Sequence, residues 1–416
     1  MNASLLLMSV LAILAVQPAP AQTFTVVHNF TGGTDGATPM GTLTTDGLGA
    51  LYGTTIAGGA NGLGTVFRLA RSGDTWQLYV LYAFNGLNNL DDGISPFAGV
   101  VIGPDGLLYG TTHSGGDGNG CMEWHGCGTV FDLKPGKTAE LWDDVILHRF
   151  GSADGSNPDH GDLLFGPGGD IYGTTRNGGD YQQGAVYKMI SNRGGWTETV
   201  LHSFGGSPDG ASPLSELVID QQGNLYGTTS AGGANGWGAI FRLKPSGSGW
   251  SEDLLYSFTN GLDGITPAAG LVLDGAGNLY GATQGGGTGG GGTIFELAPS
   301  AGDTWNFSTI ANLQGTSSGG PNGALVMDAA GNLYGMTSGD GAYGWGSVFQ
   351  LTKSNGAWSY HSLHDFTGGM DGGTPDSSLV FDANGNLYGT ASAGGASGQG
   401  VIFEITPPSR SYSRRK

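Results

Sequence analysis

The chain is 416 residues long, with 83 glycines, only 12% charged residues and a formal net charge of −19. Glycine stands at nearly three times its usual share, yet it recurs at fixed intervals among Leu, Val, Phe, Tyr and Trp, which excludes a low-complexity chain. The acidity excludes nucleic acid and anionic membrane as partners, since both need clustered positive charge and the only basic cluster is the C-terminal Arg410, Arg414, Arg415 and Lys416.

Residues 1–21 read as a secretory signal. Leu5 to Val16 is an apolar run too short to span a bilayer, and Ala19-Pro20-Ala21 places small residues at −3 and −1 of a cut before Gln22. The mature chain, residues 22–408, is therefore expected outside the cytoplasm with no membrane span. Residues 409–416 read as a basic disordered tail. Next comes Phe24-Thr25-Val26-Val27-His28-Asn29-Phe30, a strand pattern that matches Val200-Leu201-His202-Ser203-Phe204 but precedes the first complete repeat.

The repeat is announced by Leu51-Tyr52-Gly53-Thr54-Thr55. Its tyrosine recurs at Tyr109, Tyr172, Tyr226, Tyr280, Tyr334 and Tyr388, after gaps of 57 and 63 residues and then a constant 54. A fixed period of about 40 to 55 residues holding several short strands is the mark of a propeller. Each unit parses into four strands; around Tyr226 they are Glu216 to Asp220, Leu225 to Thr229, Ala239 to Leu243 and Trp250 to Phe258. No segment shows sustained helical periodicity, so almost no helix is expected.

A glycine stands three residues before every tyrosine and, in five copies, an aspartate six before it: Asp46, Asp220, Asp274, Asp328 and Asp382. The pattern predicts a tight turn in which Asp accepts backbone N–H groups and Gly takes positive φ. The residue after each tyrosine is also glycine. Because strand side chains alternate faces, tyrosine is expected on one face of a blade with spare room on the other. The fourth strand carries Trp76, Trp142, Trp196, Trp250, Trp305 and Trp358 in register, a structural rather than a ligand-binding pattern.

The fourth-strand phrase occurs seven times, once ahead of the first unit, while the last third strand, Val401 to Ile405, has no fourth strand after it. The counts balance only if the N-terminal strand completes the last blade. The chain is thus expected to form an all-β, seven-bladed β-propeller of four-stranded blades, closed by its own N-terminus.

With the strands of a blade numbered from first to fourth, the 4→1 and 2→3 loops share one face, and most chemistry-bearing residues fall there. Asp35, Asp92, Asp154, Asp209, Asp263 and Asp371 recur in the 4→1 loops; a carboxylate ring near the channel could hold Ca²⁺, although the recurrence favours turn chemistry. No other cofactor is expected. One sector breaks the repeat: a lengthened 2→3 loop carries Cys121, Glu123, Trp124, His125 and Cys127, with His113 at its start. The two cysteines are expected to form a local disulfide. The next 4→1 loop adds Asp154, Asp159, His160 and Asp162, so imidazoles and carboxylates could converge as a metal or acid/base site. Trp237 and Trp345 share one slot of the 2→3 loop, where an exposed indole could stack on a ligand or fill a gap between loops. His28, His148, His202 and His364 share a slot two residues before the aromatic that ends the fourth strand and read as parts of the repeat.

Over the whole mature chain, the phrases LYGTTxxGG, GTVFxL and the W…VLxxF strand resemble the GloVer tandem-repeat proteins, exported bacterial repeat proteins whose repeats precede varied surface anchors. The resemblance implies an exported repeat protein and brings no functional residues. The tail after Pro407-Pro408 holds no hydrophobic segment or sorting signal, so release rather than anchoring is expected. No G-x-S-x-G elbow or phosphate-cradling loop occurs. The expected function is a monomeric, non-enzymatic binding module for an extracellular protein or glycan. The alternatives are an extracellular polysaccharide hydrolase or lyase using Asp154, His160, His113 or His125, and a purely structural cell-surface protein.

Overall fold

A computed structural model describes residues 22–73, 75–86, 92–116, 121, 126–136, 142–247, 249–315 and 319–407. The signal expected at 1–21, the tail expected at 409–416, and His125 lie outside these residues. Every regular element described is a β-strand, and seven antiparallel four-stranded sheets account for nearly all of them. The chain is a seven-bladed propeller. Ring closure follows the strand count: Thr23–Asn29 pairs with Val401–Thr406, from Thr23 opposite Thr406 to Asn29 opposite Val401, and so completes the last blade.

The fourth blade shows how the sequence makes a blade. Val218–Ile219, Leu225–Thr229, Ala239–Ser246 and Gly249–Ser257 pair in that order. The first strand is shorter than its hydrophobic run suggests, because Glu216 and Leu217 belong to the loop that enters from the channel side. In the turn after it, Asp220 Oδ1 accepts the backbone N–H groups of Gln222 and Asn224, both at 2.9 Å, and the Tyr226 hydroxyl donates to Oδ2 at 3.0 Å. Gly223 closes the turn at φ +82°, where a Cβ would be strained.

The room beside each repeat glycine is used by the same blade rather than left for its neighbour. Gly227 pairs with Phe241, and a Cβ on it would lie 2.6 Å from Phe241 Cζ and 2.9 Å from Leu217 Cδ2. The glycine lets this phenylalanine lie flat across its own sheet, and the ring then meets Phe204 of the preceding blade at 5.1 Å. On the opposite face five of the seven tyrosines pack edge-on against the next blade's tryptophan: Tyr109 on Trp196, Tyr172 on Trp250, Tyr226 on Trp305, Tyr280 on Trp358 and Tyr388 on Trp76, with ring centroids 5.9 to 6.2 Å apart. Such pairs contribute about 0.5–1.5 kcal/mol each beyond area burial. The cores are inter-blade layers; one joins Tyr226, Ile240 and Phe258 to Leu271, Leu279 and Phe295 of the next blade.

Candidate functional site

The 4→1 loops run inward over the top of the ring to the channel. In six blades the residue that bonds the preceding 2→3 loop (Thr38, Ser95, Ser212, Thr266 and Thr374, with Gly320 in the same place) stands five positions before the buried residue that leads into the first strand. In the third blade Asn157 stands six before Leu163. One residue is inserted there, and it places Asp159 and His160 at the channel mouth.

The insertion has a structural cost. Thr54, Thr174 and Thr228 donate their hydroxyls across the blade boundary to the carbonyls of Ala98, Ser215 and Ala269 at 2.7, 3.0 and 3.0 Å. Thr111, at the matching position before the third blade, is 2% exposed, and its hydroxyl has no partner among the described residues. An orphaned buried hydroxyl costs about 1–3 kcal/mol.

In return the loop gathers polar groups from three elements. Asp159, 4% exposed, lies 3.2 Å from His160 Nδ1, 3.2 Å from Arg176 Nη1 and 3.6 Å from His113 Nδ1. Asn157 Nδ2 donates to the His113 carbonyl at 3.0 Å. Phe97 lies against both imidazoles, with centroids 4.9 Å from His113 and 5.4 Å from His160. Burial alone would raise the Asp159 carboxyl, but the His113 and His160 contacts hold it well below the usual range. Burial pulls His160 down, but the Asp159 carboxylate outweighs it and raises the imidazole above its ordinary value.

The throat below is lined by Thr42, His160, Glu216, Asn322 and Asp376, from the first, third, fourth, sixth and seventh blades. Asp162 accepts the Gly99 N–H at 2.7 Å, and Asn322 Nδ2 donates to Asp376 at 2.8 Å. Burial raises Asp162, Glu216 and Asp376 from their usual values, and the neighbouring Asp162 carboxylate raises Glu216 further. Proton donors and acceptors thus share one confined mouth, an arrangement suited to holding hydroxyl-rich ligands or to moving protons.

The sequence-derived candidates separate. His113 and His160 meet across Asp159. Asp154 lies apart, accepting from Gly151 N–H at 2.7 Å and contacting His148 at 3.0 Å. Asp35, Asp92, Asp209, Asp263 and Asp371 do likewise: each accepts a backbone N–H of its own loop and contacts a histidine or tyrosine of its own fourth strand. Trp237 and Trp345 are 39% and 45% exposed on the loops of the fourth and sixth blades, so each leaves part of its ring open. Trp345 rests on Gly368, where a Cβ would lie 2.4 Å from Cε2. Cys121 and Cys127 are disulfide-bonded, with Cα atoms 5.2 Å apart. Arg176, Glu216, Asp376 and Phe97 were not singled out from sequence. Aligning the residue four after each tyrosine (Ile56, His113, Arg176, Ser230, Gln284, Ser338, Ser392) would have exposed Arg176.

A broad cleft on the other face, between the fourth and fifth blades, includes Arg242 and Trp305. Its guanidinium is committed to Asp253, at 2.7 Å from Nη2, and to Asp303, at 2.8 and 2.9 Å.

The titration shifts fix a stability profile. Asp162 and Glu216, together with Asp144 pushed up to about 8 by burial, hold protons in the folded state that the unfolded chain releases near pH 4. Each costs stability as pH rises from about 4 to its folded value. His160, raised, adds stability that is lost as pH climbs through its folded value. Asp159, lowered, supports the fold above about pH 4 and fails only in stronger acid. The melting temperature is expected to be higher at pH 5 than at pH 8; a calorimetric series with the reverse order would contradict these assignments.

Three overlapping matches to the Gloeobacter/Verrucomicrobia repeat family cover residues 12–161, 123–304 and 253–415. No curated protein matches the chain. Among solved structures, an ulvan lyase described as a new polysaccharide lyase family is similar in fold, with a TM-score of 0.55 and 12% identity over 92% of this chain and 95% of that one. The ulvan lyase structure bound to -[GlcA(1-4)Rha3S]- gives 0.53 and 12% over 91% and 95%. A putative 6-phosphogluconolactonase from Bacteroides uniformis gives 0.49 and 15% over 78% and 83%. At 12% identity the likeness to the two ulvan lyase structures is one of fold.

Proposed function

The chain belongs to the Gloeobacter/Verrucomicrobia repeat family, and from that premise we propose that it is an exported binding propeller whose channel mouth, at the second and third blades, receives a glycan. The observation that carries this reading is the single inserted residue at Asp159. It breaks a seven-fold repeat at the channel, sacrifices the Thr111 hydrogen bond and assembles a polar cluster that, among the described residues, the other 4→1 loops at the channel do not repeat. Local rules are broken in this way where function outweighs stability. A sugar offers hydroxyls for Asp159, His160, Arg176 and Asn322 and an apolar face for the Phe97 ring. Trp237 and Trp345 extend the same loop face as further stacking surfaces. Export rests on the signal pattern of residues 1–21, and the disulfide accords with it.

A glycan array with the purified full chain tests the proposal. Saturable binding to a defined polysaccharide is expected, weakened at least roughly ten-fold by Phe97→Ala while the melting temperature moves only a few degrees. Absence of binding to any glycan, or equal binding by the variant, would overturn it. A second reading, an enzyme acting on extracellular polysaccharide, is favoured by one observation: His160 lines the same throat as Glu216, whose carboxyl, like that of Asp162, is raised by burial. New reducing ends or unsaturated sugar ends released from a bound polysaccharide would select it.

A further inference from the structure

Away from the channel, where the end of one blade's fourth strand faces the fourth strand of the next, the chain repeats one slot with different contents. A histidine or tyrosine near the end of the fourth strand contacts the aspartate of its own loop, and the residue two after the next blade's tryptophan covers it. Between the fourth and fifth blades that residue is Phe307, stacked on Tyr256 at 4.0 Å; between the sixth and seventh the N-terminal strand supplies Phe24, stacked on His364 at 3.7 Å. An aromatic ring fills the gap and needs no polar partner.

Between the second and third blades the covering residue is Glu198. Its carboxylate, His148 Nε2 and an Asp154 oxygen bring their ligating atoms within 4.8 Å of one another, the only such group of three among the described residues. Glu198 Oε1 is buried and has no hydrogen-bond partner among them. A buried carboxylate oxygen without a donor is a costly feature that a bound cation resolves. We propose that His148, Asp154 and Glu198 form a binding site for a first-row divalent cation of the Zn²⁺ or Mn²⁺ type.

The chemistry of the set argues for that class. Two carboxylates balance a charge of +2, and an imidazole among them favours a transition ion over Ca²⁺ or Mg²⁺, which prefer oxygen alone. A cation about 2.1 Å from each donor spans about 4.2 Å across its shell, so a small rotation of Glu198 closes the set. Asp154 is already oriented, since its other oxygen accepts the Gly151 N–H at 2.7 Å. His148 is steadied edge-on by Phe150 at 4.8 Å. The next boundary supplies an internal comparison. His202, Asp209 and Glu252 repeat the residue types, and Glu252 Oε1 is likewise buried and unpartnered, but the three ligating atoms do not gather.

Titration calorimetry of the EDTA-treated full chain with Zn²⁺ and with Mn²⁺ tests the site. One saturable equivalent is expected, weakened more than about ten-fold by Glu198→Gln and retained by Glu252→Gln. No saturable binding, or Glu198→Gln binding like the parent chain, would overturn the proposal. If Glu198→Gln fails to fold, the spin-echo spectrum of the Mn²⁺-loaded parent chain decides: coupling to one histidine nitrogen supports the site, and its absence overturns it.

Discussion

Removal of residues 23–30 is expected to abolish cooperative unfolding of the propeller or to lower its melting temperature by more than about 15 °C. The segment is eight residues from one end of the chain, yet it holds two blades together. Its backbone pairs with Val401–Thr406, so its loss leaves a raw strand edge prone to aggregation. Its side chains enter two layers. Phe24 lies against Phe366 and Phe403 at 5.8 and 5.4 Å, while Phe30, 0% exposed, packs on Phe67 of the first blade at 5.4 Å. Phe30→Ala alone should cost about 3–5 kcal/mol, a large part of the 5–15 kcal/mol typical of folded proteins. Thermal melts followed by circular dichroism would measure both variants. A truncated chain melting like the parent would mean that the ring does not depend on this strand for closure.

The fold was legible because its determinants are local and repeated seven times. Each tyrosine marks a second strand, each Asp-x-x-Gly a turn, and the displaced Phe24 to Phe30 phrase reveals closure by counting alone. The direction of the glycine packing was harder to read. Alternation says that Gly227 faces away from Tyr226, but only the register opposite Phe241 says which ring fills the space. The site was legible in part. Its loops lie on adjacent blades, so His113, Asp159 and His160 could be placed near one another from topology. Glu216 and Asp376 reach the same throat from blades distant in sequence, and no local pattern marks them. The inserted residue was hidden because the excess of the 63-residue gap between Tyr109 and Tyr172 over the usual 54 is mostly taken up by the disulfide-bearing loop. No repeat marks Glu198, because the slot two after the fourth-strand tryptophan holds Leu78, Asp144, Glu198, Glu252, Phe307 and Tyr360 in turn.

Deleting Asp159 alone is expected to abolish glycan binding while leaving the melting temperature unchanged or slightly higher. Shortening a buried loop ordinarily destabilises a protein; here it restores the spacing of the other six blades. Asn157 would again stand five residues before Leu163, and the Thr111 hydroxyl could reach the Gly161 carbonyl as Thr174 reaches that of Ser215. That bond is worth about 1 kcal/mol, and the buried carboxylate disappears with the deletion. The lost ion pairs weigh little against this gain, because Arg176 is half exposed and the two imidazoles keep some contact with solvent, so all three can rehydrate. Binding has no such compensation: the carboxylate that sits between both imidazoles and accepts from the guanidinium is gone. Loss of binding with preserved stability would mark a site grafted onto a tolerant frame at a cost in stability. A fall of more than about 10 °C would instead make Asp159 a staple between the second and third blades, and the function would have to be sought elsewhere on the ring.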